Sequence, residues 1–112
     1  MHELSVACGI VDVVADVARG RKVHRVVVEI GELSGVVSES ISFWFPEVAR
    51  GTDLENARLE IQAVNAIARC EMCGTEFPTP TMLTACPCGS IRFKRVRGEE
   101  LNVRSIELEE VP

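Results

Sequence analysis

Four of the five cysteines in this 112-residue chain fall in two close pairs, Cys70 with Cys73 in "CEMC" and Cys86 with Cys88 in "CPCG", with twelve residues between the pairs. Two thiolate pairs at the ends of a short loop can converge on one tetrahedral cation. Zinc, Zn(II), is the expected ion, because it favours soft sulfur and needs no vacant position in a structural site. Gly74 and Gly89 each follow a pair, where a sulfur knuckle turns sharply. The competing readings are four unconnected thiols, a rubredoxin-like iron, and a redox-active Cys70–Cys73 pair. No other feature suggests electron transfer, and no thioredoxin-like strand–helix context surrounds the first pair. The second pair has one intervening residue where a knuckle usually has two. That removes a peptide unit whose N–H would point at sulfur, so strain is expected there. All four thiolates are expected to ligate, and a closed four-sulfur shell is scaffold rather than catalyst.

The opening Met1-His2-Glu3 holds a second set of donors. An α-amino nitrogen, the His2 amide nitrogen and the His2 imidazole can fold around one ion as adjacent chelate rings. Nitrogen donors in a plane suit Ni(II) or Cu(II) far better than zinc. The amine, with a reference pKa of about 7.7–8.0, and the imidazole, at about 6.5, must lose protons to bind, so loading should fail in mild acid. Glu3 adds a carboxylate or a further backbone nitrogen. On these residues alone an idle terminus is the simpler reading, since chain ends are usually frayed.

The remaining chemistry is thin. With two histidines and no tyrosine, the chain shows no plausible nucleophile–base pair, which speaks against an enzyme. His24 begins a strand and reads as a framework residue. Cys8 lies on the apolar side of a helical pattern and is expected to be a buried, inert thiol. Arg92, Lys94, Arg95 and Arg97 form a basic patch next to the cysteine loop, read as a solvated strand face. A net charge of −5 argues against nucleic acid as a main partner. No uncharged apolar run approaches a membrane span. The first eighteen residues carry Glu3, Asp12 and Asp16 and no basic leader, so a cytoplasmic protein is expected.

Two helices and several strands must hold these groups. Leu4, Ala7, Cys8, Val11, Val14, Ala15 and Ala18 follow a helical stripe that Gly20 ends. In "HRVVVEI", Val26, Val28 and Ile30 alternate with Arg25 and Glu29 as in a strand. A second helix is expected from about Ser38 to Gly51, with Ile41, Phe45 and Val48 inward, an awkward Pro46, and Trp44 as a candidate exposed partner contact. "ARLEIQAVNAIA" reads as one long strand through Leu59, Ile61 and Ala63. Residues 70–90 break all periodicity, and the last two strands read as a hairpin across Gly98. The fold class is therefore α+β: two helices packed on a small sheet, with an inserted zinc-binding loop. The expected division is 1–68 plus 98–112 against a module at 69–97.

"MHELS" at the start, "EIGELSGV" at 29–36, "RGT" at 50–52 and the Cys-x-x-C followed by "CPCG" together resemble the HypA/HybF family of nickel metallochaperones, in order along essentially the whole chain. The resemblance implies a cytosolic carrier that hands nickel to the large subunit of [NiFe] hydrogenase during maturation, in some organisms also serving urease. It implies a nickel-inserting maturation GTPase as partner, and a monomer or weak homodimer. It further implies nickel at Met1, His2 and Glu3, and zinc at Cys70, Cys73, Cys86 and Cys88. "CPCG" is one residue shorter than the family pattern. The reading from a different class is a zinc-ribbon module for protein or nucleic-acid contacts, with an inert terminus.

Overall fold

The computed structural model describes residues 2–81 and 84–110, with His2 described by its backbone alone. The chain divides into two compact units, one of Met1–Glu29, Val36–Gln62 and Asn102–Pro112, the other of Ile30–Gly35 and Ala63–Leu101.

In the first unit, α1 (His2–Ala18) buries Ala7, Ile10, Val11, Val14 and Ala18. At about 100° per residue these five share one face, which packs on α2 (Ser38–Ala49). Leu4 and Cys8, expected on that stripe, are exposed. Ile10 is the reason. Taking this larger side chain inside turns the helix until Cys8 lies roughly 110° from the middle of the buried arc. Cys8 is therefore not the buried thiol that the pattern suggested.

Along α2, Ile41, Phe45 and Ala49 are buried at four-residue intervals and Val48 is half-buried. Pro46 sits on the exposed side, where water can satisfy the carbonyl that its missing N–H leaves free, and the helix continues to Ala49. The exposed aromatic ring is Phe43, 69% accessible, rather than Trp44. Trp44 is half-buried and meets Phe43 edge to face at 5.2 Å.

A three-stranded sheet has the order β2 (Arg58–Val64), β1 (Val23–Gly31), β6 (Leu101–Leu108). The Val23 N–H bonds the Asp53 carbonyl and the Glu32 N–H bonds that of Val64, so partner numbers climb together. β1 and β2 thus run parallel, with α2 as the crossover that a parallel pair needs. β1 is central and buries Val23, Val26, Val27, Val28 and Ile30. Arg25 pairs with Glu60, and Arg104 reaches Gln62 and Glu29.

The second unit carries its own sheet, β4 (Glu76–Pro78), β3 (Ile67–Cys70), β5 (Phe93–Arg97), all antiparallel. The single long strand expected over residues 57–68 is in fact two, β2 and β3, broken at Asn65–Ala66. There the Ala66 N–H goes to the Glu32 carboxylate at 2.8 Å and its carbonyl accepts from Thr79. The expected hairpin across Gly98 also fails: β5 pairs with β3, and β6 with β1. Gly98, at φ +118°, lies so close to Ala66 that a Cβ would overlap its backbone. This glycine is a crossing point between backbones and not a two-strand turn.

Candidate metal centre

β3 delivers Cys70, and the chain reverses at once into β4. The Cys70 N–H bonds the Thr75 carbonyl at 2.9 Å and the Gly74 N–H returns to the Cys70 carbonyl at 3.0 Å. Within this turn the N–H groups of Met72 and Cys73 both point at the Cys70 sulfur, at 3.3 and 3.4 Å. The second knuckle is closed by Cys86 N–H to Ser90 carbonyl at 3.0 Å and Gly89 N–H to Cys86 carbonyl at 2.8 Å. Among the described residues one amide, that of Cys88, reaches the Cys86 sulfur, at 3.5 Å. The shortened pair has therefore lost one N–H···S contact, as its spacing predicts. Gly89 takes up the tighter turn at φ +95°, a conformation that side-chain-bearing residues rarely adopt.

The four sulfurs of Cys70, Cys73, Cys86 and Cys88 lie within 4.8 Å of one another. Across the pairs, Cys70 Sγ is 3.7 Å from Cys88 Sγ and Cys73 Sγ is 3.6 Å from Cys86 Sγ. Zinc–sulfur bonds of about 2.3 Å give tetrahedron edges of about 3.8 Å, so the cage has the size of one four-sulfur ion. Cys70 and Cys86 face inward, while Cys73 and Cys88 are exposed. The inward two join Ala68 and Phe77 in the small buried cluster of this unit, with Phe93 at its edge. Phe77 and Phe93 meet edge to face at 5.5 Å.

The amides also set the acidity of the metal-free thiols. The Cys73 N–H and then the Met72 N–H favour the Cys70 thiolate against the opposing effect of burial, and hold its pKa down at about 6. Thr75, by its hydroxyl and then its amide, lowers Cys73. At Cys86 the single Cys88 amide is the largest influence and favours the thiolate. Burial and the neighbouring sulfurs together outweigh it and push this thiol up to about 12. A divalent cation held by the four sulfurs would remove that repulsion and favour the thiolate form of each. Thr75 and Ser90 escaped the sequence reading, because their contributions depend on where the turns close.

Of the opening residues, Met1 and the His2 side chain lie outside the described residues. Glu3 is described, and its carboxylate accepts from the Val37 N–H at 3.2 Å. Val37 is the N-cap residue of α2 and offers no side-chain cap of its own. Glu3 thus plays from α1 the part that a capping-box carboxylate plays within one helix. His24 is exposed on β1 and joins no cluster of potential metal ligands among the described residues.

Residues 1–108 match the family described as "Hydrogenase/urease nickel incorporation, metallochaperone, hypA". The chain belongs to the HypA family. It is 48% identical over 107 residues to the hydrogenase maturation factor HypA of Geotalea daltonii, covering 95% of this chain and 97% of that protein. It is 46% identical over 110 residues to HypA of Geobacter sp. strain M21, covering 97% and 100%. The solution structure of the Ni metallochaperone HypA from Helicobacter pylori has the same fold, with a TM-score of 0.67 at 23% identity over 95% of this chain and 96% of that one. A second HypA solution structure aligns with a TM-score of 0.72 at 26% identity, covering 97% of each chain. The α+β class and the four-cysteine cluster are those expected of a HypA protein, and the family acts in hydrogenase maturation as a metallochaperone. No helix of the described residues is long and apolar enough to cross a membrane.

Proposed function

We propose that this chain carries Ni(II) at Met1, His2 and Glu3 and delivers it for maturation of [NiFe] hydrogenase, without catalysis of its own. Zinc at Cys70, Cys73, Cys86 and Cys88 is the resident structural ion, and supplies shape only. The observation that carries the reading is the family match over residues 1–108, which takes in the opening Met-His-Glu.

The local backbone supports it. α1 begins at His2, and the first N–H groups of a helix have no intrahelical acceptor. An ion that displaces the amide protons of His2 and Glu3 therefore breaks no helical hydrogen bond. The partial positive charge at a helix N-terminus works against a cation, and the deprotonated amides offset it. A site so balanced captures an ion and still releases it, as a carrier must. The partners are the nickel-inserting GTPase and the hydrogenase large subunit, and the compartment is the cytoplasm.

The test is a nickel titration of the unextended protein, of His2→Ala, and of a version with one residue added before Met1. Both changes should abolish tight nickel binding while zinc content and the helical spectrum stay the same. Uptake should also fall away below about pH 6.5, because protons compete for the imidazole and the amine. Retained affinity in the extended version would overturn the assignment.

A further inference from the structure

The second unit has five basic residues, Arg69, Arg92, Lys94, Arg95 and Arg97, and four of them lie in six consecutive positions on or beside β5. β5 is an edge strand, paired to β3 on one side only. Arg69 is bridged to Glu76 at 2.6 Å, and Arg95 lies over the Phe93 ring at 5.8 Å. Arg92, Lys94 and Arg97 are exposed and have no ion pair among the described residues. Glu71, the nearest carboxylate by register, stands opposite Arg92 without pairing to it. Lys94 stands directly opposite Arg69, so it faces a like charge within its own sheet.

Exposed apolar groups accompany these cations. Ile91 is 79% accessible and Met72 67%, and Val96 is exposed as well. Cys70, the last residue of β3, pairs with Phe93, the first of β5, so Met72 in the turn after β3 and Ile91 just before β5 lie at the same end of this sheet. Side chains alternate along a strand. Phe93 is on the face of the buried cluster, and so Lys94 and Val96 lie on the other, both exposed. Backbone direction alternates too. The Arg92 backbone is turned to β3 by its bond with Glu71, which leaves the N–H and C=O groups of Phe93 aimed at the open side.

We infer that the free edge of β5 docks an extended acidic segment of a partner protein, added as a fourth strand to this sheet. Main-chain bonds to Phe93 hold the segment, its carboxylates meet Arg92 and Lys94, and an apolar side chain lies against the exposed Ile91. The strip is a local excess of positive charge in a chain of net charge −5, which selects acidic partners. Nucleic acid fits less well, because the one aromatic ring on the strand, Phe93, is half-buried and its face is covered by Arg95. This surface does not depend on the nickel assignment.

The test is a fluorescence-anisotropy titration of the full, zinc-loaded protein with a labelled seven-residue peptide of alternating glutamate and valine. Binding should weaken as salt rises, and the double variant Arg92→Glu/Lys94→Glu should lose about ten-fold or more in affinity, the scale expected for like charges set opposite one another. A peptide with lysine in place of glutamate should bind that variant and not the parent, which also shows that the variant is folded. A peptide with central prolines should fail with both. Three outcomes would overturn the inference: proline-tolerant binding, no preference for the acidic peptide over the lysine peptide, or tighter binding of a twenty-nucleotide single strand that the double variant abolishes. The second of these would mean that the charges merely guard the edge against pairing.

Discussion

At the scale of single residues, the two knuckles show how backbone amides assign different characters to chemically identical thiols. Cys70 receives two N–H groups and Cys86 one, and both are buried. In metal-free, reduced protein Cys70 is a thiolate at neutral pH and Cys86 a thiol. Its lowered pKa makes the Cys70 contribution to folding fully present above the ordinary thiol value and lost as pH falls through about 6. For Cys86 the sign reverses: its contribution is full below that ordinary value and lost as pH rises through about 12. Iodoacetamide at pH 7 after chelation should therefore label Cys70 well ahead of Cys86, as read by peptide mass mapping. Equal labelling would refute the difference between the knuckles. Glu3 shows a related division, since its carboxylate is engaged with α2 through Val37. Glu3→Ala should loosen the first turn of α2 and cost about 0.5–2 kcal/mol, the usual range for a lost cap, measured by urea unfolding. Glu3→Gln, which keeps an acceptor, should cost less.

Among the elements, α2 does the most to hold the first unit together. Phe45 and Ile41 are almost wholly buried, and the parallel β1–β2 pair depends on this helix to connect it. Phe45→Ala should destabilise the protein by about 3–5 kcal/mol, because it removes a large apolar contact and leaves a cavity. Phe43→Ala, at the exposed ring two residues away, should change stability little. Denaturant midpoints of the two variants would check the contrast. Both helices were legible in the sequence as periodic apolar positions, and the first was read one edge off. Leu4, Cys8 and Ala15 are apolar enough to extend the stripe, and the pattern alone does not say which edge of a wide stripe meets the partner helix. The strands were harder. "ARLEIQAVNAIA" has no proline or glycine to mark the break at Asn65–Ala66, because the break is made by the Glu32 carboxylate, some thirty residues earlier in the chain.

For the whole molecule, the division into two units separates the expected consequences of losing the proposed zinc from those of losing the proposed nickel. The buried cluster of the second unit is Ala68, Cys70, Phe77 and Cys86, so half of it belongs to the four-cysteine group that could hold a metal. A core that small does not offset chain entropy without a staple, and structural zinc contributes on the order of 10–16 kcal/mol in small modules. Cys73→Ser or exhaustive chelation should therefore expose the amides of β3, β4 and β5 to rapid hydrogen exchange. The α1–α2 amides should stay protected, since that core contains no ligand. Uniform protection across β3–β5 after chelation would contradict a stapling role for the ion.

The sequence by itself determined that Cys70, Cys73, Cys86 and Cys88 form one set that could hold a metal, because ligand chemistry follows from residue type and short spacing. It also determined the α+β class, because helical and strand periods are local. Only the tertiary structure decided that Gly98 sends two strands to different sheets, that Cys8 faces solvent, and that Glu3 reaches the start of α2. Each of these turns on a contact between segments more than thirty residues apart, or on which neighbour a helix face meets, and no local pattern of side chains carries that information.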